Sequence, residues 1–195
     1  MSRPPHAKRR VLEAARQLVE EAGVRSLTFS QLEQRSGVTR GGILHHWPDR
    51  KALIHGLIEH DLLRVTQRCR ELAAPGDPLS GQVRCALDTK DGVGVLAANL
   101  LPEARQYPST WELVTQFSAS RFEDWEWNNT DLQRLVLLLA AEGAFWRRLH
   151  GLLPDAPDLD RRLGQAIESQ LARLPPESIT QPRSTLFNHW KLART

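Results

Sequence analysis

The sequence predicts an all-α fold, and three observations carry that prediction. Apolar residues recur at spacings of three and four through almost every segment of the 195 residues. No segment sustains a period-two alternation rich in β-branched residues, so strands are not expected. The breaks between periodic segments hold Gly, Pro, Asn and Asp, residues that start or stop helices. A content of 41% hydrophobic and 25% charged residues is that of an ordinary soluble globular protein.

The elements follow in order. Val11, Leu12, Ala15, Leu18, Val19 and Ala22 form the apolar stripe of a helix over 8–22, which Gly23 stops. Thr28 with Gln31 fits a capping box, and Leu27 with Leu32 fits the staple around it. That second helix ends at Gly37. Thr39 caps a third short helix, closed by Trp47-Pro48. Two helices of about two turns joined by Ser-Gly-Val make a helix-turn-helix pattern, here over 28–47. Asp49 caps a long helix carrying Ala52, Leu53, Leu57, Ile58, Leu62, Val65 and Cys69, and Pro75-Gly76-Asp77-Pro78 ends it. Further helices are predicted near 79–89, 92–102, 109–128, 130–152 and 159–174. Residues 175–195 contain three prolines and read as a loosely held tail, whose Phe187 and Trp190 can dock on this subunit or a neighbour. The expected organisation is a small domain over 1–52, a helical body over 53–174 and the tail.

Charge is unevenly placed. Residues 1–51 hold ten Lys and Arg against five acids, a balance of +5, whereas the remainder holds 16 against 18, a balance of −2. A basic end on a near-neutral body points to a polyanion partner for that end. The N-terminus lacks the apolar core of a secretory signal, and the longest apolar run, Leu135–Ala141, is too short to span a bilayer. A cytoplasmic protein with no membrane partner is expected. Cys69 and Cys85 form no CxxC, so neither a disulfide framework nor a zinc ribbon is indicated.

With these residues in place, the stretch VLEAARQLVEEAGVRSLTFSQLEQRSGVTRGGILHHWPDRKAL, within residues 8–58, resembles the DNA-binding domain of the tetracycline-repressor (TetR) family of bacterial transcriptional regulators. The alanine pair and Gly23 of the first helix, Leu32, the Gly37-Val38 turn, His46-Trp47-Pro48 and Ala52-Leu53 fall at the family's spacing, without a gap. The sequence departs at two positions. Leu44 stands where the family usually has a tyrosine that touches the DNA backbone, and Arg50 where it usually has a lysine, although Lys51 follows. The resemblance implies a homodimeric regulator of double-stranded DNA at a palindromic operator, most often a repressor relieved by a small molecule. No cofactor is implied.

In such a motif the third helix lies in the major groove. Arg40 near its start is placed for a two-pronged contact to guanine. Gly41 and Gly42 allow close backbone approach. Leu44 can meet a thymine methyl, while His45 and His46, about 100° apart around the helix, divide between bases and phosphate. Thr28, Ser30 and Thr39 offer hydroxyls and amides at helix starts, and Arg50 and Lys51 offer cations to the backbone. Ile43 and Leu32 read as core, as does Trp47.

A dimer interface is expected from two helices. Within 130–152, Leu132, Leu135, Val136, Leu139, Gly143, Trp146 and Leu149 form one stripe, assigned to the subunit's own core. Leu138, Ala141, Phe145 and Leu152 form a second, assigned with Leu163, Ile167 and Leu171 to the partner. Trp111, Phe117, Phe122 and Trp146 can line a cavity for a hydrophobic or aromatic effector, with Asn99, Gln116 or Glu142 as polar handle. Trp125 and Trp127 are two apart, so on a helix one of them must leave the core, and Trp125 is counted with the cavity. His55 and His60 have the wrong spacing for a shared metal, no HExxH or GxSxG occurs, and no catalytic site is expected. The competing reading is a helical ligand- or protein-binding module that has lost operator recognition.

Overall fold

The computed structural model describes residues 4–88, 94–154 and 156–175, and the regular structure among them is helical. The helices are α1 (Pro4–Ala22), α2 (Phe29–Ser36), α3 (Arg40–His46), α4 (Arg50–Leu72), α5 (Pro78–Leu87), α6 (Val95–Ala104), α7 (Pro108–Ser120), α8 (Asn129–Leu149) and α9 (Leu159–Leu171), with a 3₁₀ turn at Val24–Ser26. None of them is long and apolar enough to cross a membrane. Phe187, Trp190 and the tail after Pro175 lie outside the described residues.

The chain divides into two units, residues 1–65 with 92–116, and residues 66–91 with 117–195. The contacts thus group α6 and most of α7 with the N-terminal helices. In the first unit Val11, Ala15, Leu27, Leu32, Ile43, Leu53, Ile54 and Leu57 are fully or almost fully buried, as are Leu96 and Leu100 of α6, which packs on α1. The start of α6 has an unusual cap. Gly94 at its N-cap has no side chain to offer, and Asp61 of α4 accepts the Ala97 amide at 2.8 Å instead. Asp61 is wholly buried, its Oδ1 has no hydrogen-bond partner among the described residues, and Arg64 lies 3.7 Å away. Burial therefore pushes its carboxyl above the usual value, and the Ala97 amide and Arg64 only partly oppose this.

In the second unit α5, α8 and α9 enclose a core of Leu79, Val83, Leu138, Ala141, Ile167 and Leu171, with Phe122, Trp125 and Leu163 packed at its edge. This reverses the expected division of α8. Leu138 is 1% exposed, whereas Leu132, Val136, Leu139 and Trp146 face outward, with Val136 at 64%. The small Ala141 and Ala144 let α5 approach closely, so the core takes the narrow stripe and leaves the bulky one outside. Leu138, Ala141, Ile167 and Leu171 are therefore core rather than partner-facing residues. Leu163 is partly buried in the same cluster and Phe145 is half-buried, so within the assigned partner face only Leu152 is exposed.

The segment predicted as one helix over 109–128 also differs. α7 stops at Ser120, turns follow, and Trp127 takes a left-handed φ of 59° before Asn128 caps α8 through the Thr130 and Asp131 amides. Asp131 in turn accepts the Glu126 amide at 2.9 Å and pairs with buried Arg134 at 3.2 Å. Trp125 packs on the core and Trp127 is exposed, their rings 5.7 Å apart, so a turn rather than helical angle separates them.

Candidate nucleic-acid interface

α2 and α3 are held by hydrogen bonds that their own sequence supplies. Thr28 Oγ1 accepts the Gln31 amide at 3.2 Å, and Thr39 Oγ1 accepts the Gly42 amide at 3.2 Å, each satisfying a donor that a helix start leaves open. Gly37 ends α2 with φ 63°, its amide bonded to the Glu33 carbonyl at 2.9 Å. The Ser36 hydroxyl accepts the Val38 amide at 3.1 Å inside the turn, and Arg10 of α1 donates to the Ser36 carbonyl. Glu33 then reaches across the turn, its carboxylate accepting the Arg40 amide at 2.9 Å. The negative charge sits at the start of α3, where the helix dipole favours it.

Beneath this surface Leu32, Ile43 and Trp47 are buried, as the sequence implies. The Trp47 indole lies against Gly56 of α4 so closely that a Cβ there would overlap it. His46 leans on Trp47 with ring centroids 5.6 Å apart. Partial burial, with help from His45 and Lys8, lowers its pKa below the usual histidine value.

Above the core, Thr28, Ser30, Thr39, Arg40, Gly41, His45 and Lys51 are exposed, and Leu44 is half-buried. Space around Gly41 is open, whereas a Cβ at Gly42 would press on Val38 at 3.1 Å. The Arg40 guanidinium stands 5.8 Å from the centroid of the Phe29 ring. Phe29 is a contributor the sequence reading did not assign. Its position as the first residue of α2 is visible in the sequence, but the pairing crosses the turn and needs the fold. Arg16 pairs with Glu13 and Glu20, and Arg35 with Glu21, so part of the basic excess is neutralised locally. Lys8, Arg9, Arg25, Arg40 and Lys51 are exposed cations of this unit.

Arg50 has partners within the unit. Its guanidinium donates to the Leu27 carbonyl at 2.6 Å and the Val24 carbonyl at 3.4 Å, and lies 3.5 Å from Glu103 of α6. It ties the entry of α2 to α4 and α6, a role different from the phosphate contact expected of it.

The residues expected to line an effector cavity divide between the units: Asn99, Trp111 and Gln116 in the first, Phe117, Phe122, Trp125, Glu142 and Trp146 in the second. Asn99 donates to the Val95 carbonyl, Gln116 to Glu112, and the Arg105 guanidinium lies over Trp111. Glu142 pairs with Arg121 at 2.7 Å, and Trp146 stacks on His150 on the outer side of α8. Phe122 and Trp125 contact each other at 5.1 Å. Among the described residues no three His, Cys, Asp or Glu side chains converge as a metal site.

Residues 11–57 match the family model for bacterial regulatory proteins of the tetR family. Over 93 residues the chain is 34% identical to a helix-turn-helix-type transcriptional repressor of Mycobacterium tuberculosis, covering 48% of this chain and 47% of that protein. The matched region spans less than half the length of each curated relative found. A transcriptional regulator from Rhodococcus sp. Rha1 shares the fold with a TM-score of 0.66 at 17% identity, over 89% of this chain and 96% of that one. The multidrug binding protein EbrR, solved with imidazole, gives 0.54 at 18% identity, over 86% and 94%.

Proposed function

We propose that the protein is a sequence-specific DNA-binding transcriptional regulator of the tetR type, acting as a repressor, on the strength of the match of residues 11–57 to the model for bacterial regulatory proteins of the tetR family. The observation that carries this reading is the outer side of α3. Arg40, Gly41, Leu44 and His45 stand at the surface of a helix whose start is capped twice and whose inner side is locked by Ile43 and Trp47. Arg40 reads a guanine by its two-pronged contact, with Phe29 behind the guanidinium limiting its rotamers. His45 and Leu44 meet neighbouring base edges, while His46, packed on Trp47, serves mainly to hold α3. Thr28, Ser30, Thr39 and Lys51 hold phosphates and fix the register.

One such domain makes few contacts, and two copies about 34–36 Å apart would read successive major grooves. The outer stripe of α8, Leu132, Val136, Leu139 and Trp146, is the surface we assign to dimerisation, in place of the inner stripe. Release by a small hydrophobic or aromatic effector belongs to the same proposal. It is supported by the aromatic side chains Phe122 and Trp125 at the edge of the second unit's core, and by the fold neighbour EbrR, a multidrug binding protein.

The test is selection of the purified chain against random duplex DNA, with binding of the winners followed as salt rises. An enriched inverted repeat whose affinity falls steeply with salt supports the reading. No enrichment, with retained affinity for apolar ligands, favours a helical binding module without operator recognition.

A further inference from the structure

The chain's two cysteines lie on different helices and meet. Cys69 sits near the end of α4 and Cys85 near the end of α5, and the two thiols lie within hydrogen-bonding reach of each other. The hairpin that joins them is stitched on both sides of this contact. Ser80 Oγ accepts the Ala74 amide at 2.8 Å and Arg84 donates to the Leu72 carbonyl at 3.0 Å, while Arg68 pairs with Asp88 at 2.6 Å. The backbones touch in between. Gly81 lies so close to the Cys69 carbonyl oxygen that a Cβ there would overlap it, and Cys85 is one helical turn further along the same side of α5.

We propose that Cys69 and Cys85 form a modification site, in which a peroxide converts the two thiols into an intrachain disulfide bridging α4 and α5. Close backbone approach is what a disulfide between two helices requires, and most helix pairs are held too far apart to form one. Cys69 is partly exposed and Cys85 is buried, so peroxide reaches Cys69 first. The neighbouring Cys85 thiol, aided by the Arg121 guanidinium, lowers the Cys69 pKa against the opposing effect of burial, while Cys85 is pushed up. The Cys69 thiolate attacks a peroxide oxygen and the O–O bond breaks, leaving a sulfenic acid and one hydroxide, which is protonated to water. The Cys85 sulfur then gives up its proton and attacks Cys69 Sγ. The S–O bond breaks, and a second water leaves. Two thiols are oxidised by two electrons and one hydrogen peroxide is reduced.

The site stands whether or not the protein binds DNA. To test it, the full chain is treated with a small excess of hydrogen peroxide, quenched, denatured and alkylated with iodoacetamide. The expected product is a monomer lacking two hydrogens, carrying no alkyl group, with the Cys69 and Cys85 peptides joined and separated again by dithiothreitol. Two alkylated thiols, a sulfinic acid at Cys69 beside an alkylated Cys85, or chains cross-linked to each other would overturn the proposal. In Cys85→Ala, Cys69 should accumulate as a dimedone-trapped sulfenic acid, and in Cys69→Ala, Cys85 should resist the same treatment. Oxidation of Cys85 at an undiminished rate in Cys69→Ala would refute the assigned order. If either variant fails to fold, the wild-type mass still decides whether the bridge forms.

Discussion

The Arg50 guanidinium, on the first turn of α4, donates to the carbonyl of Leu27, the residue before the Thr28 cap of α2. A charged group bonded to two carbonyls and facing Glu103 acts on the fold before it acts on DNA. Arg50→Ala is expected to lower stability by about 1–3 kcal/mol in urea denaturation. Its salt dependence of DNA binding should stay unchanged, whereas Lys51→Ala should flatten that slope by about one unit. A flattened slope for Arg50→Ala would return Arg50 to the phosphate backbone.

Gly41 and Gly42 are neighbours with opposite expectations. Gly41 faces open space, so Gly41→Ala should stabilise α3 by up to about 1 kcal/mol and yet weaken binding to the selected DNA, because the added methyl stands where the groove approaches. Gly42→Ala presses on Val38 and should gain less stability or lose some. Thermal melts with binding isotherms on the same preparations separate the two effects. Undiminished DNA affinity in Gly41→Ala would remove α3 from the groove.

Asp61 sets a pH dependence whose sign follows from burial. Its folded pKa lies above the unfolded value near 3.8, so the folded state holds the proton more tightly. This contribution is greatest below the unfolded value. It is lost as pH rises through the interval up to the raised folded value, and it is flat beyond. Asp61→Asn keeps an oxygen for the Ala97 amide and removes the buried charge. It should cancel that slope and leave the protein at least as stable at neutral pH, in denaturant titrations across the acid range. A large loss of stability at neutral pH would mean that the pairing with Arg64 outweighs burial.

The two sides of α8 give a further contrast. Val136→Glu places a charge on an exposed position, so the subunit should fold with nearly unchanged helicity while sedimentation shifts from dimer to monomer. Leu138→Ala opens a cavity among Leu79, Val83 and Ile167 and should cost about 2–5 kcal/mol. A dimer that survives Val136→Glu at micromolar concentration would place the interface elsewhere.

The N-terminal helices were legible because their signals are local. Thr28, Gly37 and Thr39 act on amides and carbonyls within a few residues, and the structure finds each in its expected cap. What the sequence hid depends on partners far along the chain. Which stripe of α8 turns inward is decided by α5 and α9, where small Ala141 and Ala144 permit approach, and one helix's pattern does not reveal its neighbours. The internal partners of Arg50 were hidden because the carbonyls it binds belong to backbone, which carries no residue-type signal. A helix continuing through 121–128 is interrupted by the Asn128 cap, whose two accepted amides make it a start rather than a continuation.

The contact of Trp47 with Gly56 ties two positions nine residues apart into a single size constraint. The space is filled by an indole on one side and by a missing side chain on the other, so neither position is free to change alone. Among sequences that keep this fold, a residue larger than glycine at 56 should be accompanied by a smaller ring, or none, at 47. In a library randomised at both positions, the survivors should therefore be anticorrelated in volume.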